Sequence, residues 1–129
     1  MSSTNYAKNL NQDFNFGGVS YTPPNSYFLG LSSTSGSSPT EPVGSGYARI
    51  AIPNTKSYFS YSSSGCLVIS ASLAFPQSSG SWGTMTDLVL FDSLTTGSAR
   101  FYTAFPSPIT VQTNTTLTFS ASQITIGQS

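Results

Sequence analysis

The sequence predicts a mainly β protein: a single-domain antiparallel β-sandwich, jelly-roll or immunoglobulin-like, of about seven or eight strands with a short N-terminal helix. Three observations carry that expectation. Charged residues are only 6% of the 129-residue chain, and polarity comes instead from 26 Ser and 16 Thr. Aromatic residues reach 13%, too many for a disordered chain and well suited to pleated, half-buried strands. Short apolar segments recur between Gly, Pro, Ser and Asn clusters, which is the rhythm of strands and turns.

The elements follow in chain order. In residues 1–18, Tyr6, Leu10 and Phe14 recur every four positions and would share one helix face, a candidate docking face. Ser3 or Thr4 could cap that helix, and Gly17-Gly18 would end it. Residues 19–129 form the predicted β-sandwich domain. Pro23-Pro24 enforces an extended entry to a strand over Tyr27–Leu31. After a polar loop, Tyr47–Ile52 reads as a strand with Ala48, Ile50 and Ile52 on one face. Tyr58–Tyr61 reads as a short edge strand.

Leu67–Phe75 alternates with period two over nine residues, the pattern of a half-buried antiparallel strand. Cys66, just before it, reads as a small buried hydrophobe. Thr84–Phe91 and Arg100–Phe105 are the next strands. In the last segment Leu117, Phe119 and Ala121 are odd-numbered, whereas Ile124 and Ile126 are even. One extra residue near Ser122-Gln123 would restore the face, so a bulge or strand switch is expected there.

Composition excludes several chemistries. The formal net charge is zero, with 4 basic and 4 acidic residues, and no basic cluster exists to bind nucleic acid or an anionic membrane. Apolar runs are too short for a membrane-spanning helix, and no secretory signal is expected. With no His and one Cys, neither a zinc site nor a Ser-His-Asp or Cys-His centre can be assembled. Asp87 and Asp92 would lie roughly 16 Å apart on opposite strand faces, too far for a glycosidase pair at about 5–9.5 Å. No enzyme activity, cofactor or metal is expected.

The candidates that remain concern structure and contact. In "EPVGSGYARIAI", Glu41 and Arg49 bracket a turn in which Gly44 and Gly46 supply backbone freedom. Together with Tyr47 they form a candidate structural lock, with the charges meeting across the turn or Arg49 reaching another backbone carbonyl or acid. The segment lacks the Lys-Ser/Thr of a phosphate-binding loop. Tyr58, Phe59 and Tyr61 in "SYFSYSSSG" are candidates for a subunit contact or an adaptable ligand contact. Trp82, flanked by glycine, is a candidate sugar platform or a large core residue.

Several stretches occur together in order: "FGGVSYTPPNSYFLGLS", "TEPVGSGYARIAI", "LAFPQSSGSWGTMTDLVLFDSLTTGSARFYTAF" and "TLTFSASQITI". In this the chain resembles a family of small virion structural proteins of tailed bacteriophages, of the tail-fibre or minor structural protein type. The matching positions are Gly17-Gly18, Tyr21–Pro24, Glu41, Gly44, Gly46–Arg49, Phe75-Pro76, Trp82–Thr84 and Phe91-Asp92, and the resemblance spans about Leu10 to Ile126. It implies a virion component, not an enzyme. Assembly in the host bacterial cytoplasm is expected from the lack of a secretory signal, with other virion proteins and copies of itself as partners, and closed symmetry makes a homotrimer the expected oligomer. A tail-fibre or baseplate position is favoured. Capsid decoration and a carbohydrate-binding module for host surface glycans are the alternatives.

Overall fold

A computed structural model describes residues 1–35 and 38–127. Among these residues the protein is mainly β, with one short helix and antiparallel pairing throughout. The elements are β1 (Ser2–Ser3), α1 (Asn5–Asn15), β2 (Ser26–Ser32), β3 (Ile50–Pro53), β4 (Cys66–Val68), β5 (Leu73–Ala74), β6 (Gly83–Phe91), β7 (Ala99–Val111), β8 (Thr118–Phe119) and β9 (Thr125–Gly127). One five-stranded sheet has the order β1-β7-β6-β2-β3, and β4-β9 and β5-β8 form two small ladders.

The helix starts where sequence chemistry puts it. Thr4 is the N-cap, its hydroxyl accepting from the Ala7 N–H at 3.2 Å and donating to the Ala99 carbonyl at 2.7 Å. Gly17 and Gly18 both take positive φ just beyond its end. Ser2 pairs with Tyr102 and Ser3 with Phe101, a polar two-residue strand with no periodicity to read in advance. The segment 1–18 therefore supplies an edge strand as well as the helix.

Strand β6 is central, and its Asp87–Phe91 run is buried on both faces, as a strand with neighbours on each side requires. Leu29, Leu31, Leu88 and Leu90 lie on one sheet face and share a single core with Ile69, Leu73, Phe75, Phe119, Ile124 and Ile126 from the ladder segments.

Several expected strands change shape. The long strand over Leu67–Phe75 keeps its alternation, with Ile69, Leu73 and Phe75 all buried, but it divides into β4 and β5. Between them Ile69 bridges to Phe59, and its N–H donates to the Ile124 carbonyl. The division matches the C-terminal segment opposite, where Ser122 adopts φ 65 between β8 and β9. The parity break there returns Ile124 and Ile126 to the core. These divisions, with β1, give nine strands among the described residues instead of seven or eight. The strand at Tyr47–Ile52 begins only at Ile50, and Tyr58–Tyr61 contributes a single bridge at Phe59. Cys66 is exposed, not buried: it opens β4 directly after the Gly65 turn.

Strand β7 runs through Pro106 and Pro108, past its expected end at Phe105. The prolines fit because the β6–β7 register shifts there, four β7 residues standing between the Asp87–Ala104 and Met85–Ile109 pairs. At the β3 edge of the sheet, the Asn54 N–H donates to the Asn25 carbonyl. Alternation then turns the Pro53 nitrogen outward, where no ladder bond needs it. The edge strand β3 and the stretch of β7 beyond its short pairing with β1 thus both carry prolines that discourage strand addition.

Candidate functional site

The 41–49 segment folds over the edge of β2. Gly44, Ser45 and Gly46 all adopt positive φ, and the tight turn exposes the Ser45 carbonyl to two donors. These are the Ser79 N–H at 2.9 Å and the Trp82 indole N–H at 2.8 Å. Strand β3 pairs with β2 only up to Leu29, so the Leu31 N–H lacks a strand partner on that side. The Tyr47 hydroxyl supplies the missing acceptor at 3.0 Å and donates to Glu41 Oε2 at 2.6 Å. Burial first, and then the bond to the Glu41 carboxylate, push the Tyr47 phenol far above its ordinary range.

Arg49 closes the arrangement. Its Nε and Nη2 grip the two Glu41 oxygens at 2.9 and 2.5 Å, a forked pair. Its Nη1 donates to the carbonyls of Ser93 at 2.6 Å and Thr96 at 2.9 Å. The guanidinium carbon sits 3.5 Å from the centroid of the Phe91 ring. One side chain therefore ties the 41–49 loop, the central strand and the β6–β7 turn together. Its donors are directed inward, as a structural role requires.

Sequence reasoning missed a second lock on the other side of the same turn. Arg100 Nε donates to Asp92 Oδ2 at 3.0 Å, and Arg100 Nη1 donates to the Tyr21 hydroxyl at 2.6 Å. Asp92 Oδ1 accepts from the Ser98 N–H at 2.8 Å. The signal was available: Asp92 precedes Arg100 by eight residues across a glycine turn, as Glu41 precedes Arg49. Of the eight charged residues, only Lys8, Asp13 and Lys56 are exposed.

Close packing at the first lock makes Gly30 a sensitive position. A Cβ there would meet Tyr47 Oη at 2.7 Å, Phe91 Cε2 at 2.9 Å and Glu41 Oε2 at 3.0 Å. Gly30→Ala is expected to lower stability by about 1–3 kcal/mol through overpacking, read as a reduced urea midpoint. Alkaline pH gives a second test. Burial, then the neighbouring Tyr21 phenol, push the Tyr27 phenol up to about 12. An unfolded Tyr27 loses its proton near pH 10, while the folded one keeps it to about 12. Stability from this group is fully present below about pH 10 and falls as pH rises toward 12. Urea midpoints from pH 8 to 11.5 should decline in that window, and less steeply in Tyr27→Phe.

The contact candidates separate. Trp82 is 6% exposed, its ring edge-on to Tyr47 at 5.2 Å and to Phe75 at 6.4 Å. It offers no open face to a sugar, because a large ring after Gly80-Ser81 fills the core under the 41–49 turn. Phe59 is also buried, against Tyr27 at 5.9 Å. Burial gives Trp82 the core-residue side of its two readings, and it places Phe59 in the core instead of at a surface contact. Tyr61 is exposed, 4.9 Å from the Lys56 ammonium, and Tyr58 is half-buried.

On α1, Leu10 is half-buried, while Tyr6 and Phe14 are exposed. Leu10 and Phe14 line a groove of about 350 Å³ with Tyr21, Pro23 and Phe101, whereas Tyr6 turns its ring toward Arg100 at 5.0 Å. Among the described residues no cluster of three metal-ligating side chains exists, and no helix is long and apolar enough to cross a membrane.

Residues 2–127 match the family model described as podophage GP4 fiber I protein gp80. No curated protein matches the chain.

Proposed function

Because the chain belongs to the podophage GP4 fiber I protein gp80 family, we propose that it serves as a noncovalently assembled building block of the phage tail fibre. The family match over almost the whole chain carries this reading: the protein is of a phage fibre structural family, and a fibre protein is a virion component with other virion proteins as partners.

The geometry supports an assembly role over recognition by charge. Both arginines spend their donors inside the molecule, and among the described residues only three charged side chains are exposed, amid many hydroxyls. Such a surface suits a permanent contact formed by burial and shape better than a steered transient encounter. Prolines on the edge strand β3 and on the stretch of β7 beyond β1 favour contact through faces over strand addition. The groove beside Leu10 and Phe14, with exposed Phe16 and Val19 nearby in sequence, is the face we assign to a neighbour.

We read the five-stranded sheet and the two ladders as the layers of one sandwich, since their side chains share one core. Association with copies of itself closes as a trimer in this reading, a symmetry that suits a fibre axis. Immunogold labelling of purified virions tests the location. Label on the tail fibres is the expected result, and label over the head would move the protein to capsid decoration. Light scattering on the purified chain tests the trimer, and a monomer at all accessible concentrations would overturn it.

A further inference from the structure

We propose that the cavity under the 54–67 segment binds a small amphiphilic carboxylate, with its apolar tail inside and its head at Lys56. This inference is independent of the fibre reading. The cavity holds about 280 Å³, and since a water occupies about 30 Å³ of liquid, it takes about nine non-hydrogen atoms. Its wall is built from separate elements: Tyr27 on β2, Leu67 on β4, Leu90 on β6, Phe101 on β7 and Ile126 on β9, with Phe59. Leu90 and Phe59 belong to the buried core, so the cavity reaches the main packing layer and is more than a surface dimple. An apolar wall left without neighbours forfeits dispersion contacts, which an apolar tail would restore.

The lip is different in character. Asn54, Thr55, Lys56 and Ser62 stand there. The Lys56 ammonium has three donors and gives one to the Ser60 carbonyl at 3.0 Å. The two ion pairs found use the arginines, so no described carboxylate stands within ion-pair range of Lys56. An apolar chamber with one unneutralised ammonium at its mouth selects an apolar chain ending in an anion, against the corresponding alcohol or amine.

Calorimetric titration of the full chain with octanoate tests this, with octan-1-ol and octylammonium as comparisons. Saturable one-to-one binding of octanoate is expected, at least about tenfold tighter than octylammonium, a factor within the range of one charge-assisted contact. Lys56→Gln, a surface change, should weaken octanoate about tenfold and leave octan-1-ol unchanged. Leu67→Phe should abolish binding of both while the melting transition persists, and Ile126→Phe serves where Leu67→Phe does not fold. Absence of saturable octanoate binding overturns the proposal, as does equal binding of the amine. If octanoate fails to bind and the filled variant is excluded from virions, the cavity receives a side chain of a partner, and the small-ligand assignment is wrong.

Discussion

Arg49→Ala is expected to lower the unfolding free energy by about 3 kcal/mol, the scale of removing one partner from a buried ion pair. The Arg49 and Glu41 side chains are only 7% and 22% exposed. The truncation would leave the Glu41 carboxylate without its counterion, beside the Tyr47 hydroxyl that depends on it. It would also release the Ser93 and Thr96 carbonyls and uncover the Phe91 ring. At this chain length the loss corresponds to a fall in Tm of about 10 °C. Urea and thermal unfolding of the purified variant measure it. Replacing Glu41 and Arg49 together by leucine should recover part of the loss, because no charge is then stranded. Unchanged stability with abolished incorporation into virions would instead make the stretch an interface.

Trp82→Ala should cost about 3–5 kcal/mol, the range for emptying a large buried aromatic site. The indole is packed among Tyr47 and Phe75, and Phe75 in turn meets Phe119 at 6.3 Å. Its N–H fixes the Ser45 carbonyl and hence the 41–49 turn. The variant therefore weakens the lock at a distance, and its effect should overlap that of Arg49→Ala instead of adding in full. A chemical-denaturation series on the two single variants and the double variant reads both quantities. A loss below about 1 kcal/mol would mean that the tryptophan is dispensable to packing, against this account of the 41–49 turn.

Much of the fold was legible because alternation survives even where pairing does not. Leu67–Phe75 reads as one strand, and its odd positions do turn inward, yet the chain opposite steps at Ser122 and divides the ladder. The parity break in the C-terminal segment carried that information. The helix was legible from Thr4, its apolar spacing and Gly17-Gly18. Strand β1 was not, since two serines carry no pattern. The extension of β7 through two prolines was hidden as well, because only the register shift against β6 makes them tolerable.

The candidate site was half legible. Two charges in a chain with so few, set around a glycine turn, pointed to Glu41 and Arg49. The equal spacing of Asp92 and Arg100 carried the same signal unread. For Trp82 and Phe59 the residue type alone could not separate core from surface, since aromatic rings serve in both places. Their burial follows from long-range packing against Tyr47 and Tyr27, which local sequence does not encode.

The central claim is that this chain is a structural part of the phage fibre. Quantitative mass spectrometry of purified virions tests it most directly. The account predicts that the chain is present at a few to about a few dozen copies per particle, as the symmetry of a tail appendage allows. Hundreds of copies would place it on the capsid, and absence from the particle would contradict the account.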